Sequence, residues 1–208
     1  MSDIVLRRYT DIPALIHLLS RRQITLLDPQ SWDDKNDSRY LALYQEKKKL
    51  ASVLALCFSQ SGETYHHWRV FAGGPSGVCV RFRKTALLNA LRHEVPIQAS
   101  SVKYLTLKDI RKDAPKVRDL PFLKRVAFEH EDEFRIIHES QTEKMRTLNI
   151  SIPLSCIERI TLSPWVHDAL SPDIKRVLKS ISGCGGLAIV RSTLISNDEW
   201  LNHGESAA

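Results

Sequence analysis

Leu50-Ala51-Ser52-Val53-Leu54-Ala55-Leu56-Cys57-Phe58 is a near-continuous apolar run, closed by Ser61-Gly62-Glu63. Its length suits a strand, and its lack of polar positions marks that strand as buried. No apolar stretch in the chain approaches the ~20 residues of a membrane span, so no membrane partner is expected.

Upstream of this strand, Val5–Tyr9 reads as a first strand, with Thr10 or Asp11 capping a helix striped by Ile12, Leu15, Ile16, Leu18 and Leu19. Pro13 falls in the first turn of that helix, where it is tolerated. A short strand is expected at Ile24–Leu27, a loop from Asp28-Pro29 through Ser31–Ser38, and a helix from Tyr40 to Lys49. Downstream, Thr64–Ala72 is a short helix and Gly73-Gly74-Pro75-Ser76-Gly77 a turn. Val78–Phe82 alternates as a strand, and a helix follows over Thr85–His93. Further strands are expected at Phe134–His138, Leu148–Ile152, Glu158–Leu162 and Leu187–Ser192, with a helix over Asp173–Ile181. Strands and helices mix without a strict βαβ rhythm. The expected fold is α+β: one domain over residues 1–201, built on a mixed, largely antiparallel central sheet flanked by helices, with a flexible tail at 202–208.

At 208 residues and 43% apolar, the chain is long and greasy enough for one real core, and 26% charged residues argue against extended disorder. No secretory signal opens the sequence. The four scattered cysteines, Cys57, Cys79, Cys156 and Cys184, form no CxxC pair, which fits a reducing cytoplasm and argues against a zinc ribbon. The formal charge is +6, and it is uneven. Lys103, Lys108, Arg111, Lys112, Lys116, Arg118, Lys124 and Arg125 face only Asp109, Asp113 and Asp119, so this segment carries +5 of it. It is either a solvated face or a phosphate-attracting patch, in which Lys108, Arg111, Lys112 and Lys116 would contact nucleic acid.

Three constellations are candidates for chemistry. In Glu131-Asp132-Glu133-Phe134-Arg135-Ile136-Ile137, strand alternation puts Glu131, Glu133 and Arg135 on one face and Phe134 and Ile136 toward the core. Two carboxylates on one face raise the pKa of one unless a cation intervenes, and Arg135 can be that cation. The plain alternative is an exposed face with an ordinary ion pair. Trp32-Asp33-Asp34-Lys35-Asn36-Asp37 is rich in acids but lacks calcium-loop spacing and its glycine, so it reads as an Asx-rich loop. Ser59 ends the buried strand as a polar site residue, followed by His66-His67-Trp68; no Gly-x-Ser-x-Gly elbow and no Walker loop is present, and adjacent histidines diverge on a helix. No metal site is expected.

These pieces occur in the order of a known family. Arg8-Tyr9, Trp32–Asp37, Cys57-Phe58-Ser59, Trp68 with Phe71, Gly77–Phe82, Val102 with Tyr104, and Lys124, Phe128, Glu131, Glu133 and Arg135 together resemble the bacterial domain-of-unknown-function family 2971 over about Arg8 to Ser192. Phe128 replaces a Trp, Phe71 a Tyr and Lys35 a Pro of that pattern. More distantly the layout is similar to ADP-ribosyltransferases, whose fold is a split β-sandwich. That likeness implies NAD as co-substrate. It assigns Glu133, Glu131 and Ser59 to catalysis, and places Arg8, Tyr9, Trp68 and Arg135 around the cofactor. It also implies a nucleic-acid or protein acceptor and a role as toxin or phage-defence effector. The remaining readings are a non-catalytic interaction or sensor module and a nucleic-acid-binding or nuclease-type protein. The last requires Asp33, Asp34 or Asp37 to lie near Glu131.

Overall fold

The computed structural model describes residues 4–205. The buried run becomes strand β3 (Ser52–Ser59), whose alternate residues serve two cores. Leu54, Leu56 and Phe58 enter the main hydrophobic cluster, while Val53 and Ala55 enter a second cluster on the opposite face with Leu41, Tyr44, Leu120 and Ile137. A strand covered on both faces cannot alternate apolar with polar, which is why the run is continuous. On the second face the apolar character fades along the strand, from Val53 and Ala55 to Cys57 and Ser59.

The other strands are β1 (Val5–Asp11), β2 (Gln23–Leu27), β4 (Gly77–Arg83), β5 (Gln98–Ser101), β6 (Lys103–Leu105), β7 (Leu123–Arg125), β8 (Glu133–Ser140), β9 (Thr147–Ser151), β10 (Ile157–Leu162) and β11 (Ile189–Arg191). The helices are α1 (Ile12–Arg21), α2 (Lys35–Lys48), α3 (Tyr65–Phe71), α4 (Lys84–Glu94), α5 (Leu107–Lys112), α6 (Ser171–Ser180) and α7 (Asp198–Glu205). Nine strands form one sheet in the order β11-β10-β4-β1-β3-β2-β9, with β8 on β3 and β5 on β8; β6 and β7 make a separate parallel pair. All pairings of the large sheet are antiparallel except β10 with β11. The fold is thus α+β with a mostly antiparallel sheet, as expected.

One edge of β3 pairs with β8 from Ser52↔Ser140 to Ser59↔Glu133. The other edge is shared. It meets β2 at the single pair Leu27↔Ala55 and β1 at the single pair Arg7↔Ser59. The sheet therefore forks at β3, with β1-β4-β10-β11 as one branch and β2-β9 as the other. Arg8 and Tyr9, at the crotch of the fork, have β-sheet partners only on β4.

Several local expectations change. Asp11 caps α1, with its carboxylate accepting from Ala14 N, and Leu15, Leu18 and Leu19 are buried; Ile16 points outward. The acidic stretch at 31–38 is a loop only in part. Pro29–Ser31 is a 3-10 turn, and Asp34 caps α2 by accepting from the backbone of Asn36 and Asp37, so the helix starts five residues earlier than Tyr40. The strand expected to contain Glu131 begins at Glu133. Glu131 closes a 3-10 turn (Val126–Glu131), and Asp132 breaks the two apart in a left-handed conformation with φ 44°. Helix α7 runs on through Glu205, past the start of the expected tail; residues 206–208 lie outside the described residues. No helix among the described residues is long and apolar enough to cross a membrane.

Candidate functional site

A cleft of ≈ 510 Å³ opens at the crotch of the fork. Its walls come from β1 (Arg7, Arg8, Tyr9), the second face of β3 (Cys57, Ser59), the acidic stretch with Trp32, Asp33, Asp34 and Asp37, α3 (His67, Phe71) and the segment carrying Lys124, Phe128, Glu131 and Glu133. Register explains the convergence. Ser59 lies opposite Arg7 on one side and Glu133 on the other, so these three share one face of adjacent strands. Cys57 lies opposite Arg135, and Ala55 opposite Ile137. The same fading of apolar character therefore runs down β8, from Ile137 to Arg135 to Glu133, and the two strands together give the cleft its polar floor.

Glu133 and Arg135 are 4% and 0% exposed, so this is no solvated ion pair. Arg135 Nε donates to Glu133 Oε1 at 2.7 Å. Its Nη1 and Nη2 donate to Asp37 Oδ1 and Oδ2 at 2.8 and 2.6 Å, and Nη1 also donates to the Pro121 carbonyl at 2.8 Å. Trp32 faces the guanidinium at 5.0 Å. Lys124 completes the network, with Nζ 2.6 Å from Glu131, 3.4 Å from Glu133 and 3.7 Å from Asp37. Two cations, Lys124 and Arg135, are thus shared among three carboxylates at the cleft floor.

The two glutamates are driven in opposite directions. Burial pushes the Glu133 carboxyl up, but Arg135 and then Lys124 outweigh it and hold the group below the ordinary carboxylate range. Burial wins at Glu131 and raises it despite Lys124. His67 is also kept neutral by burial. Its Nε2 donates to the Glu131 carbonyl at 3.3 Å and its Nδ1 contacts Thr64 Oγ1 at 2.5 Å, so α3 anchors the turn that carries Glu131. The Tyr9 ring stacks on His67 with centroids 5.3 Å apart.

Arg8 lines the cleft, burial lowers its pKa, and its guanidinium makes no hydrogen bond or ion pair among the described residues. A cation set in a partly desolvated wall without a partner is an anion site in waiting.

The cleft therefore gathers Arg8, Tyr9, Ser59, Glu131 and Glu133 from the sequence expectations, and leaves others out. Trp68 is 0% exposed; its Nε1 donates to Glu63 at 2.7 Å and its ring packs edge-on against Tyr9, so it has no face to offer a ligand. Arg135 is fully engaged beneath the floor and does not line the cleft. Lys108, Arg111, Lys112 and Lys116 are exposed around α5 and away from the cleft walls.

Sequence reasoning passed over Lys124 and His67 as site residues, and weighed Asp37 only as a neighbour of Glu131 in a nuclease. Asp37 carried a readable signal. Asp34-x-x-Asp37 is a helix start with an acid in the first turn, and an acid there is buried only where a cation awaits it. Asp37 does approach Glu131, as a nuclease reading requires, but Lys124 and Arg135 fill the space between the carboxylates. No group of three metal-ligating side chains occurs among the described residues.

No protein-family model matches the chain, so the likeness to family 2971 rests on the quoted motifs alone. No curated protein matches it in sequence. Among solved structures it is similar to Thermus sp. 2.9 DarT in complex with carba-NAD+, at 10% identity over 92% of this chain and 97% of that one, with a TM-score of 0.47. It is similar to the same protein in complex with ADP-ribosylated ssDNA, at 9% identity over 92% and 95%, TM-score 0.48. It is also similar to that protein in complex with NAD+, at 11% identity over 92% and 96%, TM-score 0.46.

Proposed function

We propose that the chain is an NAD-consuming enzyme of ADP-ribosyltransferase type, with the forked-sheet cleft as its active site. The observation that carries this reading is the meeting of an unpartnered Arg8, Ser59 and an ionised Glu133 in one cleft whose ≈ 510 Å³ falls within the usual range for small-molecule sites.

Each residue has a task the geometry allows. Arg8 offers an unclaimed fork of donors to a diphosphate oxygen. Tyr9, Phe71 and Phe128 give the apolar walls for flat rings. In the reaction the glycosidic C1′–N bond breaks, nicotinamide leaves with the bonding electrons, and positive charge develops on the ribose. Glu133, held ionised by Arg135, stabilises that charge without rearranging. Glu131, whose pKa is raised, is the group suited to take the proton from the incoming nucleophile, whether water or a macromolecular acceptor. Ser59, bonded to Ser61 Oγ at 2.8 Å, fixes the floor between Arg7 and Glu133. An activity of this kind fits a toxin or defence effector.

Nicotinamide release from NAD tests the reading directly. The wild type releases it, and Glu133→Gln lowers the rate by at least about a hundredfold while the far-ultraviolet spectrum is unchanged. A wild type that neither binds nor cleaves NAD sinks the proposal.

A further inference from the structure

The row that joins Glu133, Ser59 and Arg7 does not stop at β1. Arg7 lies opposite Arg81 on β4, and Arg81 opposite Arg159 on β10. Directly opposed residues on antiparallel strands share a face, with Cβ atoms about 5 Å apart. Three arginines therefore stand side by side across β1, β4 and β10, in line with the floor of the cleft.

Like charges in directly opposed positions oppose strand pairing, so such a row needs an anion. The protein supplies little. Glu158 takes Arg81 in a two-pronged pair, at 3.2 Å to Nε and 3.0 Å to Nη2. Arg7 Nη1 has only the Gln60 carbonyl, at 3.3 Å. Arg159 Nε is buried and has no hydrogen-bond partner. Of the neighbouring charges, Asp132 is held by Gln60 at 3.3 Å, and Lys84 adds a further cation that reaches Gln60 Oε1 at 3.2 Å. One carboxylate against three guanidinium groups leaves the row markedly positive, and all three arginines are half-buried, where charge is less screened by water.

We infer that Arg7, Arg81 and Arg159 form a phosphate-binding track beside the cleft. Planar guanidinium forks match phosphate oxygens in pairs, and three such forks on one sheet face offer more than one phosphate a partner, as in a diphosphate or a polynucleotide backbone.

Titration calorimetry of the whole chain with inorganic pyrophosphate at fixed ionic strength tests this. Pyrophosphate has no ribosyl bond to cleave, so the result is read independently of whether NAD is consumed. The wild type binds, and Arg159→Gln and Arg81→Gln each weaken binding by about tenfold or more. Lys47→Gln removes the same charge from an exposed position near the end of α2, outside the row and the cleft, and leaves the affinity within about twofold. Should Arg159→Gln fail to fold, Arg159→Lys keeps the charge without the fork and weakens binding severalfold. Displacement of pyrophosphate by ADP alone assigns the track to a nucleotide diphosphate, and displacement by a single-stranded oligonucleotide alone assigns it to a phosphodiester backbone. Absence of pyrophosphate binding, indifference to both arginine substitutions, an equal loss with Lys47→Gln, or displacement by neither competitor overturns the inference.

Discussion

Glu133 owes its ionised state to neighbours, and that dependence has a sign. Arg135 and Lys124 hold its folded pKa below the ordinary value of 4.5. In acid the unfolded chain therefore takes up this proton before the folded one does. The stability it contributes is complete above the ordinary range and is lost as pH falls through the lower, folded value. Glu131 acts in the opposite sense: its raised pKa means that the fold holds the proton more tightly, so ionising it as pH rises past the ordinary value costs stability. Denaturation midpoints measured from neutral to acid pH will show a flatter acid limb for Glu133→Gln than for the wild type. Asp37 lines the cleft and clamps Arg135 with both oxygens. Asp37→Ala leaves that guanidinium with no partner for two of its donors, apart from the Pro121 carbonyl, at 0% exposure, and should cost about 3–5 kcal/mol in urea denaturation.

Helix α2 serves the site through its N-terminal turn, which brings Asp37 to the cleft wall. Its cap, Asp34, accepts from Asn36 and Asp37 through Oδ1, while its other oxygen is buried without a partner. Asp34→Ala should cost about 1 kcal/mol by thermal unfolding, the ordinary worth of such a cap. The elements built on periodicity were legible from the sequence: β1, α1, β3, β4, α4 and β10 lie within a few residues of their expected places, because burial on one or two faces imprints a regular pattern. What was illegible depended on partners distant in the chain. Asp34–Asp37 looked like loop because the partners of Asp37, Arg135 and Lys124, lie about ninety to a hundred residues away. Trp68 looked available because nothing in its neighbourhood announces that Glu63 and Tyr9 enclose it. Glu131 and Glu133 were expected to meet by strand alternation; they meet instead because Asp132 turns the chain and Lys124 draws both carboxylates in.

Across the whole molecule, a ligand that fills the cleft adds its binding energy to the fold. A ligand present at about a hundred times its Kd stabilises the native state by about 2.7 kcal/mol, which for a chain of this size raises Tm by roughly 5–10 °C. Thermal melts of Glu133→Gln with saturating NAD, in which turnover is blocked, should show a shift of that order, and the same variant carrying Arg8→Gln should show little.

The fork in the sheet has a mechanical consequence. Between its single rung to β2 at Ala55 and its single rung to β1 at Ser59, strand β3 presents Leu56, Cys57 and Phe58 as an edge that neither branch claims. Two wings of sheet thus meet one spine through a single rung each, joined on one face by the main core, and the cleft lies in the angle between them on the other. A molecule lodged there does what a missing strand would do: it braces one wing against the other. Occupancy then stiffens places far from the ligand, and amide hydrogens of β2 and β9 exchange more slowly when the angle is filled.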